Sequence, residues 1–187
     1  MYKLFKEAAM KAVGIVAEYN PFHNGHLHHL QETKKLTGLP AIAVMSGSFM
    51  QRGEPAFLDK WLRARLAVEN GVDLVLELPA AFSLRSAEFF ASGAVKILAA
   101  TGVVEKLSCG AESPSTNFVE LAKLVTSPAF NDKLQSFLSA GTTYAAAYEK
   151  ALQALASGAK LNSPNDILAL EYCKALLKTN ISPLFIK

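Results

Sequence analysis

The sequence is poor in cysteine. Its two cysteines, Cys109 and Cys173, stand far apart among 187 residues and form no CxxC pair. That excludes a disulfide framework, and two free thiols in a reducing cytosol are expected. Long apolar runs are missing as well. The amino terminus, "MYKLFKEAAMKAVGIVAEYN", has early lysines, but its apolar run "AVGIVA" is short and ends at Glu18. It does not read as a secretory signal. No window reaches the roughly 18 apolar residues of a membrane span. A soluble, cytoplasmic protein with no membrane partner is therefore expected. A strong charge of one sign is also lacking. The formal net charge of +3 is compatible with a nucleotide or RNA partner without pointing to one. The glycine fingerprints GxGxxG and GxxxxGKS/T are both absent, which removes support for ordinary dinucleotide and P-loop sites.

What is present suits one packed domain. Apolar residues make up 51% and charged residues 19%, enough to build a core. Four short apolar runs read as strands: Ala12 to Glu18, Ala41 to Ser46, Asp73 to Pro79 and Val104 to Gly110. Helical patterns separate them. One covers "NGHLHHLQETKKLTG" and stops at Gly38; one starts on the Asp59 cap; one starts on Ser86. This alternation implies a parallel sheet. After Gly110 four helical patterns follow in succession, from "STNFVELAKLVTS" to "SPNDILALEYCKALLKTN", each with Ser, Thr or Pro at its start. A last run, "ISPLFIK", reads as one more strand. The expectation is a Rossmann-like α/β fold of about five parallel strands, with a helical insertion before the last. It would occupy residues 10–187, with Met1 to Ala9 as a leader or extra residues.

All four histidines lie within "AEYNPFHNGHLHHL", where the first strand gives way to the first helix. In open parallel sheets the carboxyl ends of strands are where ligands bind. A helix start offers N–H groups and partial positive charge to phosphate. His23 and His26, three residues apart, can converge on the same phosphoryl oxygens, and Gly25 lets a flat ring approach the backbone. A zinc reading is weak. His23, His26 and His29 drift around a helix, with no cysteine or paired carboxylate nearby, so no metal site is expected. His28 and His29 are open between helix surface and site. Lys60 and Arg63 are open between a solvated face and the substrate. The polar loop "QRGEP", which begins Gln51-Arg52, sits where loops often carry function. Trp61 reads as core packing. Asn165 is open between a helix-start polar residue and a ligand contact.

"PFHNGH" resembles the (T/H)xGH motif of the nucleotidyltransferase superfamily. The longer run "GIVAEYNPFHNGHLHHL", followed by "MSGSFMQRGEPAFLDKW", "GVDLVLELP" and "PNDIL", is similar to the bacterial tRNA(Met) cytidine acetate ligase family. The resemblance implies ATP-driven activation of acetate to acetyl-adenylate, with Mg2+ accompanying the nucleotide. The acetyl group would then pass to N4 of the wobble cytidine of elongator tRNA(Met). By position it implies an ATP site formed by Val16, Ala17, Glu18, Tyr19, Asn20, Pro21, Phe22, His23, Asn24, Gly25, His26, Leu27, His28 and His29, with Gly110 and Asn165. His23 and His26 would stabilise charge on the α- and β-phosphates. Asn20 would orient the carboxylate or the α-phosphate. Where the family reads like FGSE this chain has "SCGAES", so Cys109 stands in place of an aromatic residue. The superfamily's later Ser/Thr-rich motif with its basic phosphate clamp is not visible, and an amino-terminal portion of a longer protein is expected. Two other readings stay open. One is adenylyl or cytidylyl transfer to a small phosphate-bearing cofactor precursor. The other is an inactive nucleotide- or RNA-binding fragment.

Overall fold

The computed structural model describes residues 10–113, 116–156, 161 and 163–186. The expected leader Met1 to Ala9, the helix start at Ser115 and the terminal Lys187 lie outside the described residues. The element order is β1 (Ala12–Ala17), α1 (Asn24–Thr37), β2 (Ala41–Ser46), α2 (Lys60–Glu69), β3 (Leu74–Leu78), α3 (Ala80–Ser83), α4 (Ala87–Ala100), β4 (Val104–Gly110), α5 (Phe118–Val125), α6 (Pro128–Ser139), α7 (Tyr144–Leu155), α8 (Pro164–Leu176) and β5 (Ser182–Ile186). Short α3 carries no cap signature and was not expected. The α5 cap is Asn117, whose side chain accepts the Glu120 N–H.

The five strands form one sheet in the order β3-β2-β1-β4-β5, and every pairing is parallel. The strand order reverses between β1 and β4. Both of these strands therefore run into a crevice at their carboxyl ends, the topological switch point of an open α/β sheet. β2 is buried along its whole length, whereas edge strand β3 leaves Leu74 exposed. Pro183 is tolerated because β5 is the other edge.

Two apolar layers cover the sheet. On one side Val13, Ile15, Ala43 and Met45 pack with Leu30 of α1 and Ala67 of α2. On the other, Ile42, Val44 and Leu107 pack with Phe90, Ala94 and Leu98 of α4 and Tyr172 of α8. Gly14 permits that second contact, since a Cβ there would stand 2.7 Å from Leu98 Cδ1. The helices between β4 and β5 form a third cluster around Phe118, Phe130, Leu152 and Leu170, which meets the sheet through α8. The expected helical insertion is thus a small bundle beside the sheet. Among the described residues no helix is long and apolar enough to cross a membrane.

Two expectations need correction. Trp61 is 76% exposed, because it sits in the first turn of α2 on the side away from Ala67. Arg63 is fully buried and is neither solvated nor presented to a substrate. Its guanidinium donates to the carbonyls of Leu58, Glu18, Ser46 and Gly47. Those groups end β1 and β2 and begin the run into α2. A parallel strand leaves carbonyls unpaired where it ends, and a planar cation with five N–H groups satisfies several at once.

Candidate active site

The cleft at the switch point has a volume of about 290 Å³. The end of β1 contributes Val16, Ala17 and Tyr19. The first turns of α1 contribute Gly25, His26, His28 and His29. Cys109 and Gly110 at the end of β4 face Asn165, Leu168 and Tyr172 of α8 and Ile186 of β5. Nine of the sequence-derived site residues therefore line one cavity. Among the described residues no lysine or arginine lines it.

α1 starts in an unusual way. His23 is its N-cap, with extended backbone, and its Nδ1 accepts the Gly25 N–H at 3.1 Å. The backbone N–H of His23 donates in return to His26 Nδ1 at 3.3 Å. Ser, Thr, Asp and Asn usually fill this role. Here two imidazoles share it, and the first turn carries no acidic residue. The positive end of the helix is thus left for an anion. The rings stack with centroids 3.7 Å apart and an interplanar angle of 24°. Tyr19 meets His26 edge-on at 4.9 Å, and Phe22 closes on both. Because each Nδ1 accepts a hydrogen bond, the neutral tautomer assigned to both rings carries its proton on Nε2. Both rings are then donors away from the cap.

Burial holds His26 neutral, lowering its pKa to about 4, and the neighbouring His23 and His29 push the same way. His29 is lowered by burial first and His28 second. It is anchored to the floor of the site: its Nε2 lies 3.0 Å from Ser108 Oγ, which lies 2.6 Å from Thr33 Oγ1. His29 is thus a half-buried residue of α1 that lines the cleft. His28 is exposed at its rim.

The depressed His26 pKa has a measurable consequence. Between about pH 6.5 and about pH 4 the unfolded chain binds a proton at this position that the folded chain refuses. Stability is therefore expected to be fully present above about pH 6.5 and to fall as the pH drops through that window. Urea denaturation from about pH 7 to about pH 4.5 checks this, and His26→Gln should flatten the slope.

The remaining sequence-derived residues serve the walls. The Glu18 carboxylate accepts the Gln51 N–H at 2.7 Å. Asn20 Oδ1 accepts the Phe57 N–H at 2.7 Å. Both tie the 47–59 loop to the end of β1, and the oxygen of Asn20 is committed to that tether. Pro21 and Asn24 are exposed, and Leu27 is half-buried; none of them lines the cleft. A Cβ at Gly25 would meet His23 Cε1 at 3.0 Å, so the bare backbone here makes room for the His23 ring first. Gly25→Val is expected to displace that ring, open the shared cap and abolish ATP binding with the fold retained. Titration calorimetry alongside circular dichroism checks this. At Gly110 a Cβ would meet nothing within 4 Å.

Opposite the histidines, Asn165 Nδ2 donates to Glu112 Oε1 at 2.9 Å. Its neighbour Asp166 is buried and accepts from the Glu112 N–H, the Ser113 N–H and Ser113 Oγ at 2.9, 3.1 and 2.6 Å. Burial alone would raise this carboxyl. The hydrogen bonds from Ser113 and Glu112 outweigh it and hold the pKa below the usual range. Asp166 thus fixes the turn after Gly110. Sequence reading passed over it in favour of Asn165. The available signal was an Asp three residues after a Ser cap, in the first turn of a helix. Among the described residues no group of three or more His, Cys, Asp or Glu side chains is placed to hold a metal ion.

A five-stranded parallel sheet with paired histidines at the β1–α1 junction, over a switch-point cleft, defines a nucleotidyltransferase-type α/β domain. The chain belongs to the HIGH nucleotidyl transferase family, which it matches over residues 10–187. It is 51% identical over 169 residues to the tRNA(Met) cytidine acetate ligase of Leuconostoc mesenteroides, covering 90% of this chain and 42% of the relative. It is 49% identical over 181 residues to the ligase of the same name from Anoxybacillus flavithermus, covering 93% and 45%. The crystal structure of Thermotoga maritima TmcAL bound with alpha-thio ATP superposes with a TM-score of 0.88 at 43% identity, over 95% of this chain and 46% of that one. The chain spans a little under half the length of these relatives.

Proposed function

We propose that this domain activates acetate with ATP and delivers the acetyl group to N4 of the wobble cytidine of elongator tRNA(Met). The names of the relatives support that substrate set. The observation that carries the chemistry is the stacked His23–His26 pair, whose shared cap turns both Nε2–H groups outward. An acetate oxygen attacks the α-phosphorus, and the bond to the pyrophosphate oxygen breaks. Negative charge grows on the α- and β-phosphate oxygens. Two oriented N–H donors and the start of α1 stabilise it without reorganising. The cytidine amine then attacks the acetyl carbonyl and AMP leaves with the electron pair. Gly110 and Asn165 would flank the nucleoside. Magnesium would enter with the nucleotide, held by phosphate oxygens and water.

The lining also bears on the choice of cosubstrate. A phosphate-bearing cofactor precursor brings a second multiply charged group, and among the described residues the lining holds no lysine or arginine for it. Acetate carries a single charge. Exchange of labelled pyrophosphate into ATP tests the proposal. Exchange that depends on acetate is expected. Exchange that needs a phosphorylated cosubstrate instead, or nucleotide binding without exchange, would overturn it.

A further inference from the structure

Two large rings stand in solvent on the segment that runs from β2 into α2. Phe57 is 78% and Trp61 76% exposed, and neither belongs to the three apolar clusters. Lone exposed apolar residues are ordinary, but two aromatic rings at such exposure within five positions, one closing the loop after β2 and one opening α2, are not. The loop is a built element. Phe49 bridges Pro55, the Ala56 N–H donates to the Ser48 carbonyl, and Met50 is buried beneath it. Asn20 holds it by the Phe57 N–H. This places Phe57 next to the histidine loop, at the carboxyl edge of the sheet. Trp61 follows in the first turn of α2, its N–H fixed by the Asp59 cap. Lys60 Nζ lies 5.4 Å from the Trp61 ring centroid.

We infer that Phe57 and Trp61 form a stacking platform for unpaired bases of the acceptor RNA. The inference rests on the proposed RNA substrate. A cytidine can present N4 to an adenylate only when it is unpaired. Stacking grips a base by its faces and leaves the Watson–Crick edge, which bears N4, free to approach the cleft. The charges around the rings support stacking over phosphate clamping. Arg52 and Lys60 are balanced by Glu54, Asp59 and Glu77, and Lys60 is already bonded to Glu77 at 2.7 Å. A protein partner fits less well. A stable protein interface buries about 1,200–2,000 Å², and the segment that carries these rings also carries the charges of Arg52, Glu54, Asp59 and Lys60.

Trp61 is the only tryptophan in the chain, so its fluorescence reports on the platform directly. The full chain is titrated with an RNA hairpin whose loop presents unpaired cytidines, and with the fully paired duplex of the same stem. ATP and acetate are absent, so failure of acetate-dependent exchange and failure of RNA stacking are read separately. Saturable quenching by the hairpin and little by the duplex is expected. By anisotropy of labelled hairpin, Phe57→Ala and Trp61→Ala should each weaken binding about tenfold, and Trp61→Phe should recover most of the loss. Because stacking releases no counterions, Trp61→Ala should leave the slope of log affinity against log salt unchanged. Both alanine variants remove exposed rings and keep the core intact. Equal quenching by the duplex, or unaltered affinity in both alanine variants, would overturn the inference. So would self-association in sedimentation that Trp61→Ala abolishes, which would make this face a protein interface.

Discussion

Replacing His26 by alanine is expected to slow adenylate formation by about a hundredfold or more while ATP binding weakens far less. The loss corresponds to one preorganised donor at the developing phosphate charge, roughly 3–4 kcal/mol. Two features of the site raise the effect toward the upper end. His26 Nδ1 also accepts the His23 N–H, so alanine removes a partner of the cap that aims the second ring. His26 also stacks on His23 at 3.7 Å, so its loss frees that ring to turn. His23→Ala should behave alike, and His28→Ala, at the exposed rim, should do much less. Pyrophosphate exchange at saturating ATP, with nucleotide affinity measured separately, divides the rate effect from the binding effect. Full exchange in the His26→Ala protein would remove the histidine pair from the chemistry.

The second large effect is expected at a side chain that does not itself line the cleft. Arg63→Met keeps the length and apolar stem of the side chain and removes every donor. The buried carbonyls of Ser46 and Gly47 and the partly buried ones of Glu18 and Leu58 then lose their shared partner. An unsatisfied buried group costs about 1–3 kcal/mol, and partial relaxation of the loop limits the sum to about 3–5 kcal/mol. Arg63→Lys should recover part of this, since a single ammonium cannot span both strand ends. Urea denaturation measures the loss. Because Glu18 and the 47–59 loop are held by the same guanidinium, ATP affinity should fall with stability. A loss below about 1 kcal/mol would show that these carbonyls find other donors.

Reading the chain in order revealed most of what is local. The strands were visible as short apolar runs, and β2 and β4 begin and end where those runs do. Gly38 ends α1 in the left-handed conformation at φ 66°, as its place after two lysines suggested. The paired histidines were legible because a loop of His-Asn-Gly-His between a strand and a helix is a local pattern. Gly110 and Asn165 were reached only through family resemblance, since no periodicity links positions so far apart.

What the sequence left open was each side chain's environment. Arg63 and Trp61 lie two residues apart on one helix, one fully buried and the other 76% exposed. The sequence left the cation open between solvent and substrate and read the indole as core. The fold departs from both, because parallel strands end in unpaired carbonyls that Arg63 satisfies, while Trp61 lies on the side of α2 away from Ala67. Asp166 and Glu112 are separated by more than fifty positions, and Asn20 and Phe57 by nearly forty. These hydrogen bonds exist only once crossovers have brought strand ends together. By itself the sequence determined which segments could become strands and helices, and that a pair of histidines would sit where the first strand gives way to the first helix. Tertiary structure alone decided which polar groups would lose water there, and so which side chains had to satisfy them.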